Sequence, residues 1–151
     1  MNWRDNRIES AKNGTNPMVI AKMKSGYAVI GDTQFLPGYC VLLPNKEVFS
    51  LNDLTLEERS QFLTDMSLVG DAIIHVCHPL RVNYDILGNT DAFLHAHIFP
   101  RYSWEIEERR KNPVWLYDAS NWIDADKQFS NEKNGQLKIE LERYLKTVYM
   151  L

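Results

Sequence analysis

The stretch between Thr55 and Pro79 places the strongest constraint on how this chain can fold. Thr55 and Glu58 have the spacing of a capping box, in which each side chain bonds the other residue's backbone amide. Apolar residues then recur at helical spacing on one face: Phe62, Met66, Val69, Ile73 and Val76. His78-Pro79 ends the predicted helix, because the residue before a proline disfavours helical backbone. Such a stripe is typical of a core helix, which needs a sheet to cover.

Five short segments have the alternation and composition of β-strands, and turn residues separate them. The predicted strands are Met18–Met23, Tyr27–Gly31, Tyr39–Leu43, Arg81–Leu87 and Leu94–Phe99. The first two flank Lys24-Ser25-Gly26 and therefore predict a hairpin. Together with the long helix, these segments predict an α+β fold in which a five-stranded antiparallel sheet packs against one long helix.

The two ends of the chain predict further helices. Residues 4–13 predict a short helix that ends at Asn13-Gly14, and residues 119–135 are polar and predict a loop. Apolar residues at helical spacing then predict an additional C-terminal helix: Leu137, Leu141, Tyr144 and Val148. We expect one domain, 1–151, with a core of about 18–117 and an extension at 118–151.

Composition narrows the class of protein. The formal net charge of −3 provides no broad basic surface, which argues against nucleic-acid binding. No apolar run reaches membrane-spanning length, and the N-terminus lacks the apolar segment of a signal peptide. Cys40 and Cys77 are too few for a disulfide framework, so we expect reduced cysteines and a cytoplasmic location.

Two of the four histidines lie two residues apart in the last predicted strand, which Pro100 is expected to end. Side chains two apart on a strand point to the same face, so His95 and His97 share one. Three interpretations follow: two histidines that face water, a zinc site, or a catalytic pair. Neutral imidazole is a nucleophile at neutral pH, which favours the catalytic pair.

The zinc interpretation is the weaker one on ligand count. A zinc site needs three or four Cys, His or carboxylate ligands. The other candidates contain no Cys-x-x-C pair: Cys40, His75, Cys77 and His78. We therefore expect no metal.

Residues from about 18 to 117 resemble the histidine triad (HIT) family of nucleotide-binding proteins and hydrolases. The family signature is His-x-His-x-His followed by two apolar residues and often Pro-Arg, and Leu94–Arg101 reads Leu-His-Ala-His-Ile-Phe-Pro-Arg. Asn83–Asn89, which ends in Leu-Gly-Asn, and the Pro-Gly strand at Phe35–Pro44 also resemble family segments.

The resemblance makes His95 the second histidine of the signature, which is the family's nucleophile, and His97 the third. Phe93 stands in place of the first histidine, and Tyr39 stands where many members carry another. The implied activity is that of a HIT-like nucleotide hydrolase or nucleotidyl transferase, which acts at the α-phosphate through a covalent nucleotidyl-histidine on His95. In that role His97 donates to a phosphate oxygen.

The resemblance also implies the ligands and the assembly. The substrate is expected to be a purine nucleotide or dinucleotide, either a dinucleoside polyphosphate or a nucleoside phosphoramidate. No cofactor is implied, and family members are commonly homodimers. The changes at Phe93 and Tyr39 leave open a nucleotide-binding module without turnover, and a structural protein with a decayed site.

Four further residues resemble nucleotide-binding positions of the family. Asn89 and Thr90 offer neutral donors for phosphate oxygens, and Asp32 offers a carboxylate for the ribose hydroxyls. Asn83 resembles a strand asparagine of the family. Turn geometry explains Asn89 equally well, and Asp32 is equally compatible with an ordinary loop aspartate. The tryptophans Trp104, Trp115 and Trp122 are assigned to packing, the default for aromatic residues.

Overall fold

A computed structural model describes residues 2–149 of the chain. Within these residues, five strands form one antiparallel sheet with the order β1-β2-β3-β5-β4. The strands are β1 Val19–Lys22, β2 Gly26–Ile30, β3 Cys40–Pro44, β4 Arg81–Asp85 and β5 Ala96–Arg101. The helices are α1 Arg7–Asn13, α2 Leu56–Cys77, α3 Glu107–Arg110, α4 Ser120–Ile123 and α5 Asn131–Tyr149. The predicted α+β fold is confirmed.

The two long helices cover one face of the sheet. The predicted stripe of α2 packs on the core, where Phe62, Val69 and Ile73 have no exposed surface. The predicted capping box is present at Thr55, and α5 packs beside α2 and against β1. No helix among residues 2–149 has the length and apolarity needed to cross a membrane.

The structure differs from the sequence prediction in β5 and in the region 119–135, and the other strand ends shift by one or two residues. β5 begins at Ala96, so His95 lies just before the strand. Pro100 does not end β5, which continues to Arg101. Only β4 flanks the strand at Pro100, because β3 pairs no farther than Ile98, and a proline is tolerated where a strand lacks a neighbour on one side. Residues 119–135 are not a loop, because they contain α4, a 3-10 turn at Ala125–Lys127 and the first turn of α5.

The other face of the sheet is partly covered by α1 and by the segment between β5 and α5. The segment after α4 pairs with the loop that follows β2, through a bridge between Thr33 and Gln128 and a 2.7 Å bond from the Phe129 amide to the Asp32 carbonyl. Helix α1 approaches the same loop from the N-terminal side. An open cleft remains between these segments and the sheet.

Candidate functional site

The cleft has a volume of about 920 Å³ and gathers five of the six predicted site residues. These are Asp32, Asn89, Thr90, His95 and His97. The sixth, Asn83, does not line the cleft. Its side-chain oxygen accepts a 3.0 Å hydrogen bond from Arg101, so that oxygen is committed to a contact within the protein.

A backbone carbonyl selects the tautomer of His95. The Nδ1 atom lies 2.7 Å from the carbonyl oxygen of Phe93. A carbonyl can only accept a hydrogen bond, so Nδ1 carries the proton and the Nε2 atom of the neutral ring keeps its lone pair. The contact comes from the backbone of Phe93 and does not depend on its side chain.

A tyrosine hydroxyl selects the opposite tautomer in His97. The Tyr39 hydroxyl lies 2.7 Å from His97 Nδ1, and burial raises the pKa of Tyr39, which keeps the hydroxyl protonated. Burial, reinforced by the neighbouring His95, lowers the pKa of His97 to about 4, so the ring is neutral near pH 7. We assign the hydroxyl as the donor to Nδ1, which places the remaining proton of His97 on Nε2.

The loop between β2 and β3 is built to hold Tyr39 in place. A side chain at Gly31 would collide with the tyrosine ring, because its Cβ would lie 2.2 Å from Tyr39 Cδ2. The buried Gln34 amide donates to the carbonyls of Gly31 and Tyr39 and accepts from the Gly38 amide, at 2.9–3.0 Å. On its other side, the Tyr39 ring stacks on Phe99 with a centroid distance of 4.0 Å.

Asp32 forms a bidentate ion pair that the sequence does not predict. The Arg7 guanidinium donates to the two carboxylate oxygens at 3.0 and 2.7 Å, and the pair lines the cleft. The contact with Asp32 raises the pKa of Arg7. Two ionised oxygens offer about four acceptor positions, so the carboxylate retains room for two further donors.

The loop between β4 and β5 contributes exposed neutral donors. Asn89 and Thr90 line the cleft, and no hydrogen bond joins either side chain to another described residue. Charged side chains of the lining are mainly acidic: Asp5, Asp32, Glu47 and Asp91 against Arg4 and Arg7. The cleft lining therefore offers neutral donors and two arginines, of which Arg7 is paired with Asp32.

Two tryptophans that the sequence assigns to packing also line the cleft. Trp115 meets the edge of His97 at a centroid distance of 4.9 Å, and Trp122 stacks on Trp115 at 5.6 Å. Trp104 stacks on Tyr102 at 5.0 Å and lies outside the cleft lining. The three tryptophans after Arg101 thus divide into two that line the cleft and one that lies on the surface.

A buried ion pair connects β5 to the segment that carries Trp115. Arg101 and Glu105 are 3% and 4% exposed, and the guanidinium contacts the carboxylate at 3.0 Å. Arg101 also donates to the carbonyls of Arg109 and Asn112. Burial alone would raise the pKa of Glu105, but hydrogen bonds from Arg101, Tyr117 and the Tyr102 amide outweigh it and lower the pKa.

The histidine and cysteine candidates for a zinc site are separated from the histidine pair. His75 and Cys77 lie on α2, across the sheet from His95 and His97, and Cys40 is buried in the core. Among residues 2–149, no three His, Cys, Asp or Glu side chains are grouped as metal ligands.

Solved structures of HIT proteins share this fold. A histidine triad protein from Bradyrhizobium japonicum is 18% identical, with coverage of 89% of this chain and 94% of its own and a TM-score of 0.72. A hypothetical histidine triad nucleotide-binding protein from Sulfolobus tokodaii is 12% identical, with coverages of 93% and 91% and a TM-score of 0.70. The Plasmodium falciparum diadenosine triphosphate hydrolase is 19% identical, with coverages of 86% and 77% and a TM-score of 0.57.

At these identities the structural similarity establishes the fold alone. No curated protein sequence matches the chain. Residues 15–104, however, match the HIT domain, and this segment contains both cleft histidines and more than half of the chain. The chain therefore belongs to the HIT domain family.

Proposed function

We propose that the protein is a nucleotide hydrolase or nucleotidyl transferase that forms a covalent nucleotidyl intermediate on His95. The observation that carries this proposal is the 2.7 Å contact between His95 Nδ1 and the Phe93 carbonyl. In the neutral ring this contact holds the proton on Nδ1 and leaves the lone pair on Nε2, which a nucleophilic imidazole requires, and the ring lines the cleft.

The proposed reaction proceeds in two displacements. The Nε2 lone pair attacks the α-phosphorus, the bond from phosphorus to the leaving oxygen or nitrogen breaks, and the leaving group takes that electron pair. Water then attacks the phosphorus, the P–N bond returns its electrons to His95, and the water proton passes to solvent. An acceptor nucleotide in place of water gives nucleotidyl transfer.

The surrounding groups would stabilise charge on the transferred phosphate. His97 Nε2–H donates to a non-bridging oxygen. Because the pKa of His97 is lowered to about 4, the ring is a neutral donor near pH 7. Asn89 and Thr90 add donors from the loop. The Asp32 carboxylate accepts from the ribose hydroxyls while Arg7 holds it in place.

Intact-protein mass spectrometry after brief exposure to a nucleotide panel tests the proposal. The panel contains diadenosine triphosphate, ADP and an adenosine phosphoramidate. We expect a nucleotidyl adduct on the wild type and on His75→Ala, which changes a histidine of α2 far from the cleft. We expect no adduct on His95→Ala and a kcat below a few per cent of wild type, which is a barrier increase of about 2 kcal/mol or more.

Retention of turnover by His95→Ala would exclude His95 as the nucleophile. A wild-type protein that neither turns over nor forms an adduct, but binds AMP with saturable heat, would instead be a nucleotide-binding module. The replacement of two family histidines by Phe93 and Tyr39 is the observation that favours this second candidate.

A further inference from the structure

A continuous row of rings runs along the floor of the cleft. Phe93 contacts His95 at a centroid distance of 4.7 Å, and His95 contacts His97 at 4.8 Å. The row then continues to Trp115 at 4.9 Å and Trp122 at 5.6 Å. The proposed nucleophile thus lies inside the row, and two tryptophans form the end beyond His97.

Trp115 is held rigidly but is not covered. Its indole N–H donates to Asp85 at 3.0 Å, its ring meets His97 and Phe99 edge to face, and Trp122 stacks against it at an interplanar angle of 17°. Even so, 37% of Trp115 remains exposed. An aromatic ring with a fixed orientation and a free surface beside reactive groups is suited to stacking on a planar ligand.

The segment that carries Trp115 and Trp122 is also anchored on the loop that follows β2. The Thr33 hydroxyl donates to the Asn121 carbonyl at 2.6 Å, and Thr33 forms an antiparallel bridge with Gln128. The segment that matches the HIT domain ends at residue 104. Both tryptophans therefore come from a part of the chain that the family match does not cover.

We propose that Trp115 and Trp122 form a binding site for a planar aromatic leaving group, namely the base of the second nucleoside in a dinucleoside polyphosphate. The assignment rests on the proposed function, because an in-line displacement places the leaving group across the phosphorus from the attacking Nε2 atom. The row of rings runs from His95 through His97 to Trp115. A nucleotide that leaves the phosphorus on the His97 side therefore reaches Trp115 and Trp122.

The charges of the cleft favour the same class of leaving group. Four carboxylates and two arginines line it, and Arg7 is already paired with Asp32. A bare pyrophosphate leaving group would find little cationic compensation there. A leaving nucleotide gains stacking energy from its base, which does not depend on cationic side chains.

Binding of two non-hydrolysable analogues tests the assignment without requiring turnover. The analogues are methylene-bridged diadenosine triphosphate and α,β-methylene-ATP, each titrated by calorimetry. We expect Trp115→Leu to weaken the dinucleotide about 10-fold or more, as loss of one base stack does. We expect the ATP analogue to change by less than about 2-fold, which is the usual scatter for independent sites.

Three further variants complete the design. Trp115→Phe keeps a stacking ring and should retain most of the dinucleotide affinity. Trp122→Leu should reproduce the selective loss, and it stands in for Trp115→Leu if that variant does not fold. Trp104→Leu removes an equally aromatic but surface-exposed partner of Tyr102, 61% exposed, and should leave both affinities unchanged.

An equal loss of affinity for both analogues would overturn the assignment, because Trp115 and Trp122 would then bind the first base or support the whole site. Unchanged binding of the dinucleotide in Trp115→Leu and Trp122→Leu would also overturn it. These outcomes are distinct from a failure of the proposed function. That failure would show as an absent adduct and absent turnover, even where selective binding of the dinucleotide persists.

Discussion

The bond between Tyr39 and His97 determines which nitrogen of His97 faces the substrate with a proton. Tyr39→Phe removes the hydroxyl and keeps the ring that stacks on Phe99. The His97 proton can then move to Nδ1, and the cleft loses a donor. We predict that kcat falls about 10- to 100-fold, as is usual when a partner that orients an active-site imidazole is removed. The KM should change little, because Tyr39 is not proposed to touch the ligand.

Nitrogen-15 NMR of the imidazoles provides the direct measurement. In the wild type, His97 should be protonated on Nε2 and should take up its second proton near pH 4 instead of 6.5, so it stays neutral above that range. Tyr39→His restores a donor at the same position and should recover part of the rate. A His97 ring that titrates near 6.5, or that carries its proton on Nδ1 in the wild type, would contradict the assignment.

Asp32 has two partners to distinguish, the ribose and Arg7. Asp32→Ala should weaken AMP binding because it removes up to two charge-assisted bonds of about 1.5–3 kcal/mol each. The loss should nearly vanish for 2′,3′-dideoxy-AMP, which has no hydroxyls to donate. In a double cycle of the two proteins and the two ligands, we predict a coupling above about 1 kcal/mol, since unconnected sites add to within a few tenths.

Arg7→Met is the matched control for the ribose cycle. It removes the ion pair but leaves the Asp32 carboxylate, so any loss of affinity should be similar for both ligands. Additive losses in the Asp32 cycle would show that the carboxylate only anchors α1 through Arg7, and that the ribose is bound elsewhere.

At the residue scale, sequence reasoning located side chains better than it located their partners. The spacing of His95 and His97 predicts one strand face; in the structure both rings line the cleft with a centroid distance of 4.8 Å, but His95 lies just before the start of β5. Their orienting groups are the Phe93 carbonyl and the Tyr39 hydroxyl, and the second lies 58 residues from its histidine. Such contacts depend on how strands pair and on loop conformation, which no local pattern encodes.

At the scale of elements, the Arg101–Glu105 pair joins the end of β5 to the segment that carries Trp115. Arg101→Met leaves the fully buried Glu105 carboxylate without its cation. We predict a loss of about 3–5 kcal/mol in the free energy of unfolding, as for other buried pairs with one partner removed. Urea denaturation at neutral pH provides the measurement.

The double variant Arg101→Met/Glu105→Leu is the informative comparison. It removes both charges, so it should be more stable than Arg101→Met alone. The depressed pKa of Glu105 adds a pH dependence: its contribution is present above the unfolded pKa of about 4.3 and is lost as the pH falls through the lower folded value. A loss below about 1 kcal/mol in the free energy of unfolding of Arg101→Met would show that the Arg101–Glu105 pair is not important for stability.

The elements that the sequence predicts well are those in which apolar residues recur at a regular spacing. The structure contains the predicted apolar stripe and capping box of α2 and all five predicted strands. The ends of the strands differ from the predicted ends by one or two residues. The region 119–135 was mispredicted because it is polar and has no apolar period. Its helical start instead depends on Ser130, whose hydroxyl accepts from the Lys133 amide, and on Asn134, whose side chain accepts from the Ser130 amide.

At the scale of the whole molecule, β4 is an edge strand of the sheet. Among residues 2–149 it pairs with β5 alone, so its other edge has no neighbouring strand. Large apolar side chains near β4 and on α2 are between 39% and 63% exposed: Leu63, Ile74, Leu80 and Tyr84. An unpaired strand edge beside an apolar surface favours association with another chain. A closed two-fold interface would cover both the edge and the apolar side chains.

We therefore predict a homodimer with α2 and β4 near the two-fold axis. Equilibrium sedimentation at micromolar concentration should give twice the 17.6 kDa mass of one chain. The double variant Ile74→Lys/Leu80→Lys places two charges in each copy of the interface and should sediment as a monomer. Ile123→Lys, at a 77% exposed position on α4, should remain dimeric. A wild-type mass near 17.6 kDa would contradict the dimer, and a double variant that stays dimeric would place the interface elsewhere on the surface.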